Sequence, residues 1–209
     1  MKILYVDFCG TVTFPSTLKK FCRYVLLKNG VFSKLYYYLY LILNNKYLKI
    51  IQIDLFIPFN NMPNKLLEKY SLDFFNIYIS KNLNEKTINL ITKYKEAGYY
   101  IVIISGGLTN YIKHINKIVS IDHIIAKEFI IDKNRIKSEF STGTVFQNEK
   151  IFKISEFENN LDHVIDERVV ISDSEDDIPL FLLADKKILA NPTSKRFVAY
   201  AKLNNWKIL

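Results

Sequence analysis

Two cysteines, Cys9 and Cys22, are all that the 209 residues contain, and they form no CxxC pair. That excludes a disulfide framework and a cysteine-based zinc site, and it points to a reducing, cytoplasmic setting. His114, His123 and His163 stand alone, without metal-ligand spacing. Glycine and proline are also sparse, at six and five, and no low-complexity linker divides the chain. No apolar run reaches the ~20 residues of a transmembrane helix. The longest, residues 35–43, has nine residues and four of them are tyrosine; it reads as the core of a helical cap, with peripheral docking on a membrane as the alternative. No basic block with interleaved aromatics marks a nucleic-acid groove. The net charge of +8 is carried by lysines spread along the chain, as on a solvated surface. The first residues read as a strand carrying a key aspartate, so no cleaved leader is expected there.

What is present is an alternation of short β-branched runs with helical patterns. It predicts a parallel sheet in a Rossmann-like, doubly wound α/β fold. Strands are expected at 2–6, 100–104, 123–126, 169–171 and 188–190. Residues 85–97 read as a helix with Ile88, Ile91 and Tyr94 on one face, ended by Gly98. A second helix is expected after Gly107, turning Tyr111, Ile112, Ile115 and Ile118 inward, and a last one over 194–204. Between residues 14 and 80 the alternation stops. That stretch is helical in period, rich in Tyr, Leu and Phe, and broken at 57–63. It exceeds an ordinary strand-to-helix connection. The expected organisation is an α/β core of residues 1–13 and 81–209, with a helical cap, 14–80, inserted over the carboxyl edge of the sheet.

The chemistry concentrates at strand ends. Asp7 closes the first apolar strand and runs straight into Phe8-Cys9-Gly10-Thr11. An unpaired carboxylate there would cost several kcal/mol to desolvate, roughly, so it is expected to bind a cation or attack a substrate. Ser105, followed by Gly106 and Gly107, ends a second strand, and its hydroxyl and the glycine amides at a helix N-terminus suit phosphate oxygens. Asp173 follows a third, within Ser172-Asp173-Ser174-Glu175-Asp176-Asp177, a set of hard oxygen donors suited to Mg²⁺. Lys150 lies between these segments and could neutralise both carboxylate and phosphoryl group; Lys153 and Lys127 are the nearby alternatives. In an open parallel sheet such ends share one rim, where ligands bind. A metal, a lysine and oriented amides around a carboxylate suit phosphoryl transfer.

The order Asp-x-x-Gly-Thr, strand-Ser-Gly-Gly, Lys, Ser-Asp-Ser-Glu-Asp-Asp resembles the haloacid dehalogenase-like (HAD) superfamily. It is most similar to the branch containing phosphoserine phosphatase, whose helical cap follows the first motif. Ala190-Asn191-Pro192 before a helix and Asn205-Trp206-Lys207 fit the same pattern. The resemblance implies a phosphatase acting on a small phosphorylated molecule through an aspartyl-phosphate on Asp7. It implies that Ser105, Gly106, Thr11 and Lys150 hold the phosphoryl group. Mg²⁺ would be bound by Asp7, the Cys9 carbonyl and Asp173, with Asp176 and Asp177 as auxiliary acids.

Two positions depart from the family pattern. The general-acid aspartate two residues after the nucleophile is here Cys9. A thiol has a pKa of about 8.5 against about 3.9 for aspartate and donates weakly. Its presence leaves open a slow or non-catalytic phospho-ligand binder, or a phosphotransferase. The glutamate that reads the amino group of phosphoserine, nine residues after the nucleophile, is here Ser16, which argues against that substrate.

Overall fold

Ile3 and Tyr5 alternate with Leu4 and Val6 along β1 (Lys2–Asp7), and all four are buried. A strand apolar on both faces belongs in the middle of a parallel sheet covered on each side. The computed structural model, which describes residues 1–43, 55–142, 145, 148–192 and 194–209, places it there. β1 pairs in parallel with β2 (Tyr100–Leu108) on one side and β6 (Glu167–Ser172) on the other. β3 (His123–Lys127) extends the sheet beyond β2, and β7 (Lys186–Leu189) and β8 (Lys207–Ile208) extend it beyond β6. The six-stranded order is β3-β2-β1-β6-β7-β8, with every pair parallel.

Period-2 alternation divides the core. Leu4, Val6, Ile101, Ile103, Val169 and Ile171 face one layer, and Ile3, Tyr5, Val102, Ile104 and Val170 the other. The second layer takes in Ile154 of α6 (Asn148–Asn159), Phe181 of α7 (Ile178–Leu182) and Phe197 of α8 (Lys195–Leu203). The first takes in Ile91 of α4 (Glu85–Glu96) and much of the helical stretch before it: α1 (Thr17–Lys28) and α3 (Asn64–Phe74). Phe21 of α1 meets Phe74 and Tyr111 with ring centroids 5.3 and 5.0 Å apart.

Several expectations are corrected. β2 continues four residues past 104, through Ser105, Gly106 and Gly107, so these are not a helix N-terminus. α5 (Thr109–Ile112) starts only after them and tightens at once into a 3₁₀ turn over Lys113–Lys117. Tyr111, Ile112 and Ile115 are buried, but Ile118 lies past the end of that turn and is 47% exposed. The hairpin of β4 (Phe129–Asp132) and β5 (Arg135–Phe140) was not foreseen. Its turn residues Lys133 and Asn134 both have positive φ, as a type I′ turn requires, yet lack the Asn-Gly signature that usually announces one. The hairpin is stitched to the helical stretch, with the Asn61 amide donating to the Ile136 carbonyl at 2.7 Å and the Ile136 amide to that of Met62 at 2.9 Å.

Residues 35–43 fall in α2 (Val31–Leu43), apart from which the expected core role fails. Leu35, Tyr38, Leu39, Leu41 and Ile42 are all exposed. Among the described residues α2 packs mainly on α1, and Tyr37 reaches the core; a helix apolar on every side cannot turn all its faces to such a contact.

Candidate active site

The carboxyl ends of β1, β2 and β6 open on one rim, and the turn after β1 is the tightest piece of it. The Val12 and Thr13 amides both donate to the Phe8 carbonyl, and the Gly10 amide donates to the Thr13 carbonyl. Gly10 has φ +93, and a Cβ there would lie 2.2 Å from Asp173 Oδ2. Only glycine both adopts this backbone and lets Asp173 approach. Gly10→Ala should therefore destabilise the protein by about 1–3 kcal/mol, read from urea denaturation. An unchanged midpoint would mean that the turn tolerates a side chain.

Asp7, Thr11, Lys150, Asp173 and Asp177 are all buried and form one polar cluster. Lys150 Nζ donates to Asp7 Oδ1 at 2.7 Å and to Asp177 Oδ2 at 2.9 Å. Thr11 Oγ1 donates to Asp173 Oδ1 at 3.0 Å and to Asp7 Oδ2 at 3.3 Å. Asp177 also accepts from Ser172 Oγ at 2.5 Å. Two residues are thus drawn together differently from expectation. Asp177 holds Lys150, and the Thr11 hydroxyl links the two carboxylates. Asp176 is exposed, with its amide donating to Ser174 Oγ. Among the alternatives to Lys150, Lys153 pairs with Glu156 on the surface of α6, and Lys127 lies over the Phe140 ring.

One cation facing three acids leaves the cluster short of positive charge. Burial first, with the charges of Asp177 and Asp173 adding to it, pushes the Asp7 carboxyl up to about 7, against the pull of Lys150. Burial likewise raises Asp173. Burial works to discharge Lys150, but the Asp7 and Asp177 carboxylates outweigh it and hold the ammonium above its ordinary value. A divalent cation would relieve this imbalance. Mg²⁺ typically uses one or two carboxylates and fills its remaining positions with water and phosphate oxygens. The pair Asp7 and Asp173, joined through Thr11, fits that donor set. Among the described residues no group of three or more His, Cys, Asp or Glu is arranged to hold a metal ion by itself.

Beside the cluster a cavity of about 480 Å³ is lined by Asp7, Cys9, Ser105, Gly106, Lys150 and Asp173, and also by Lys19, Lys127 and Asp176. Three segments distant in sequence therefore meet at one cavity. The Ser105 hydroxyl accepts from the Gly107 amide at 3.1 Å. Cys9 Sγ lies 3.8 Å from Ser105 Oγ and 2.7 Å from Thr17 Oγ1, which is 3.0 Å from the Tyr111 hydroxyl. Burial, then the charge of Asp7, pushes the Cys9 thiol up, so it stays protonated. Thr17 and Tyr111 were missed as part of this site. The only signal was a pair of hydroxyls on helical faces otherwise filled with apolar residues.

The fold has solved counterparts. A protein of unknown function from Bordetella pertussis Tohama I superposes with a TM-score of 0.84 at 14% identity, covering 100% of this chain and 97% of that one. A phosphoserine phosphohydrolase-like protein from Francisella tularensis subsp. tularensis SCHU S4 matches with a TM-score of 0.63 at 20% identity over 100% and 95%. A phosphoserine phosphatase solved as a phospho-aspartyl intermediate analogue matches with a TM-score of 0.58 at 19% identity over 100% and 92%. No curated protein is detectably similar in sequence. At such identities these neighbours speak for the fold alone, but the family model for haloacid dehalogenase-like hydrolases aligns with residues 6–182, and the chain belongs to that family.

Proposed function

We propose that the protein is a phosphatase that hydrolyses a small phosphate monoester, with Asp7 as nucleophile and Mg²⁺ as cofactor. The observation that carries this reading is Asp7 itself. It is a buried carboxylate at a strand end, held 2.7 Å from a buried ammonium and joined through Thr11 to a second carboxylate. Membership of a hydrolase family points the same way.

In this reading Lys150 keeps one Asp7 oxygen fixed and neutralises charge gathering on the phosphoryl group. Asp177 and Ser172 hold Lys150 in turn. Ser105 and the amides beside it donate to the phosphoryl oxygens. Asp7 attacks phosphorus as the ester P–O bond breaks, giving an aspartyl-phosphate and an alkoxide that takes up a proton. Water then cleaves the acyl-phosphate, releasing phosphate and restoring Asp7. Mg²⁺, held by Asp7, Asp173 and the Cys9 carbonyl, would supply electrostatic stabilisation of the transferring group. Of the cap expected over 14–80, residues 14–43 and 55–80 would cover this rim, while 44–54 lie outside the described residues; the two free cysteines accord with a cytoplasmic enzyme.

Turnover of a stable aryl phosphate and of a panel of phosphorylated metabolites, with Mg²⁺ and then with EDTA, tests the proposal. Release that survives EDTA would remove the metal from it.

A second reading rests on Cys9. A thiol kept protonated but weakly donating is a poor proton source for an alkoxide, and losing a general acid costs about 10²–10⁴ in rate. Slow turnover, phospho-ligand binding alone, or transfer to an acceptor other than water would follow. Cys9→Asp should accelerate hydrolysis of an alkyl phosphate by at least about tenfold and change an aryl phosphate little. No gain on the alkyl ester would show that Cys9 does not stand in for the acid.

A further inference from the structure

The exposed face of α2 is the largest feature that the site does not use. Val31, Phe32, Leu35, Tyr38, Leu39 and Ile42 recur at three- and four-residue spacing, so they share one side of the helix. Their exposures run from 44% for Leu39 to 89% for Phe32. Isolated apolar residues on a surface need no explanation, but a contiguous strip of six does.

The charge around this strip selects its partner. Residues 8–53 contain seven Lys and Arg and no Asp or Glu, so this segment accounts for most of the net +8. Five of the seven are Lys19, Lys20, Arg23, Lys28 and Lys34, on α1 and α2. Two copies meeting face to face through such segments would repel, whereas an anionic surface would attract each of them. Tyr38, 57% exposed on that strip, is of a residue type suited to the boundary between headgroups and acyl chains. Thirteen helical residues reach about 20 Å, short of the ~30 Å hydrocarbon layer, and no described helix is long and apolar enough to cross a membrane.

We propose that α2 is a membrane-surface anchor. It lies in the plane of an anionic bilayer, with Phe32, Leu35, Tyr38, Leu39 and Ile42 in the interface, and the net positive charge of the segment draws it to lipid phosphates. The proposal stands independently of the phosphatase reading.

Co-sedimentation of the full chain with vesicles of phosphatidylglycerol and phosphatidylcholine in equal parts tests it. The protein should partition at least about tenfold better there than onto phosphatidylcholine alone, and lose that advantage in molar salt. The double variant Phe32→Glu with Leu35→Glu should bind the mixed vesicles roughly a hundredfold more weakly, with an unchanged melting temperature, since both side chains are exposed. Failure of the wild type to sediment with the mixed vesicles would overturn the proposal, as would equal sedimentation of the double variant. A wild-type dimer that the variant dissociates, without vesicle binding, would assign the face to a second copy instead.

Discussion

Asp7→Asn is expected to abolish phosphate release, by roughly 10⁴-fold or more, while making the metal-free protein more stable at pH 8. The first effect follows from removing the nucleophile. The second follows from the charge imbalance around it. The folded carboxyl titrates near 7 rather than at its ordinary 3.8, so the folded state holds a proton that the unfolded chain has already released. Stability from this group is complete below about pH 4 and is lost as pH rises through about 7. At roughly 1.4 kcal/mol per pKa unit, the loss amounts to a few kcal/mol. Asn mimics the protonated acid and removes that slope, and Lys150 keeps Asp177 as its partner. Melting curves of both proteins in EDTA should nearly coincide at pH 4 and draw steadily apart up to pH 8, with the variant higher. Parallel behaviour across that range would show that the buried acids are compensated in some other way.

Lys150→Met should have the opposite effect on stability and the same effect on activity. Lys150 is 4% exposed and supplies the ammonium to both Asp7 and Asp177. Removing one partner from a buried ion cluster costs about 3–5 kcal/mol, or roughly 10 °C in melting temperature for a chain of this size. The loss should shrink at low pH, where the stranded carboxylates take up protons. Lys153→Met is the internal control. It sits three residues along the same helix but pairs with Glu156 at the surface, where ion pairs contribute little. Equal losses from the two substitutions would mean that α6 is weakened as a helix, and the buried pairing of Lys150 would not be the cause. Lys150→Arg should recover part of the stability by retaining the charge, with little recovery of turnover, because a planar fork cannot take the place of a compact ammonium between two carboxylates.

The sheet was legible because its signal is local. In β1, β2 and β6, apolar residues fill consecutive positions, as only a strand buried on both faces demands. Asp7, Ser105 and Asp173 could be read as site candidates for the same reason: each breaks such a run at its end. Lys150 was harder, since nothing along α6 distinguishes it from Lys153. Burial between Asp7 and Asp177, from 143 and 27 residues away, separates them. The hairpin of β4 and β5 escaped because its turn reads Lys133-Asn134 where Asn-Gly is usual. Ser105 was placed at a helix start because two glycines commonly end a strand, yet here the strand pairs onward to Leu108.

Local pattern determined the strands, the rim on which they end and the kinds of acid and base that reach it, because hydrophobic period and strand-end polarity are written within a few residues. Tertiary packing alone decided which acid holds Lys150, that Cys9 joins Thr17 and Tyr111, and that α2 turns an apolar face outward. Each of these depends on the neighbour that arrives from a distant part of the chain.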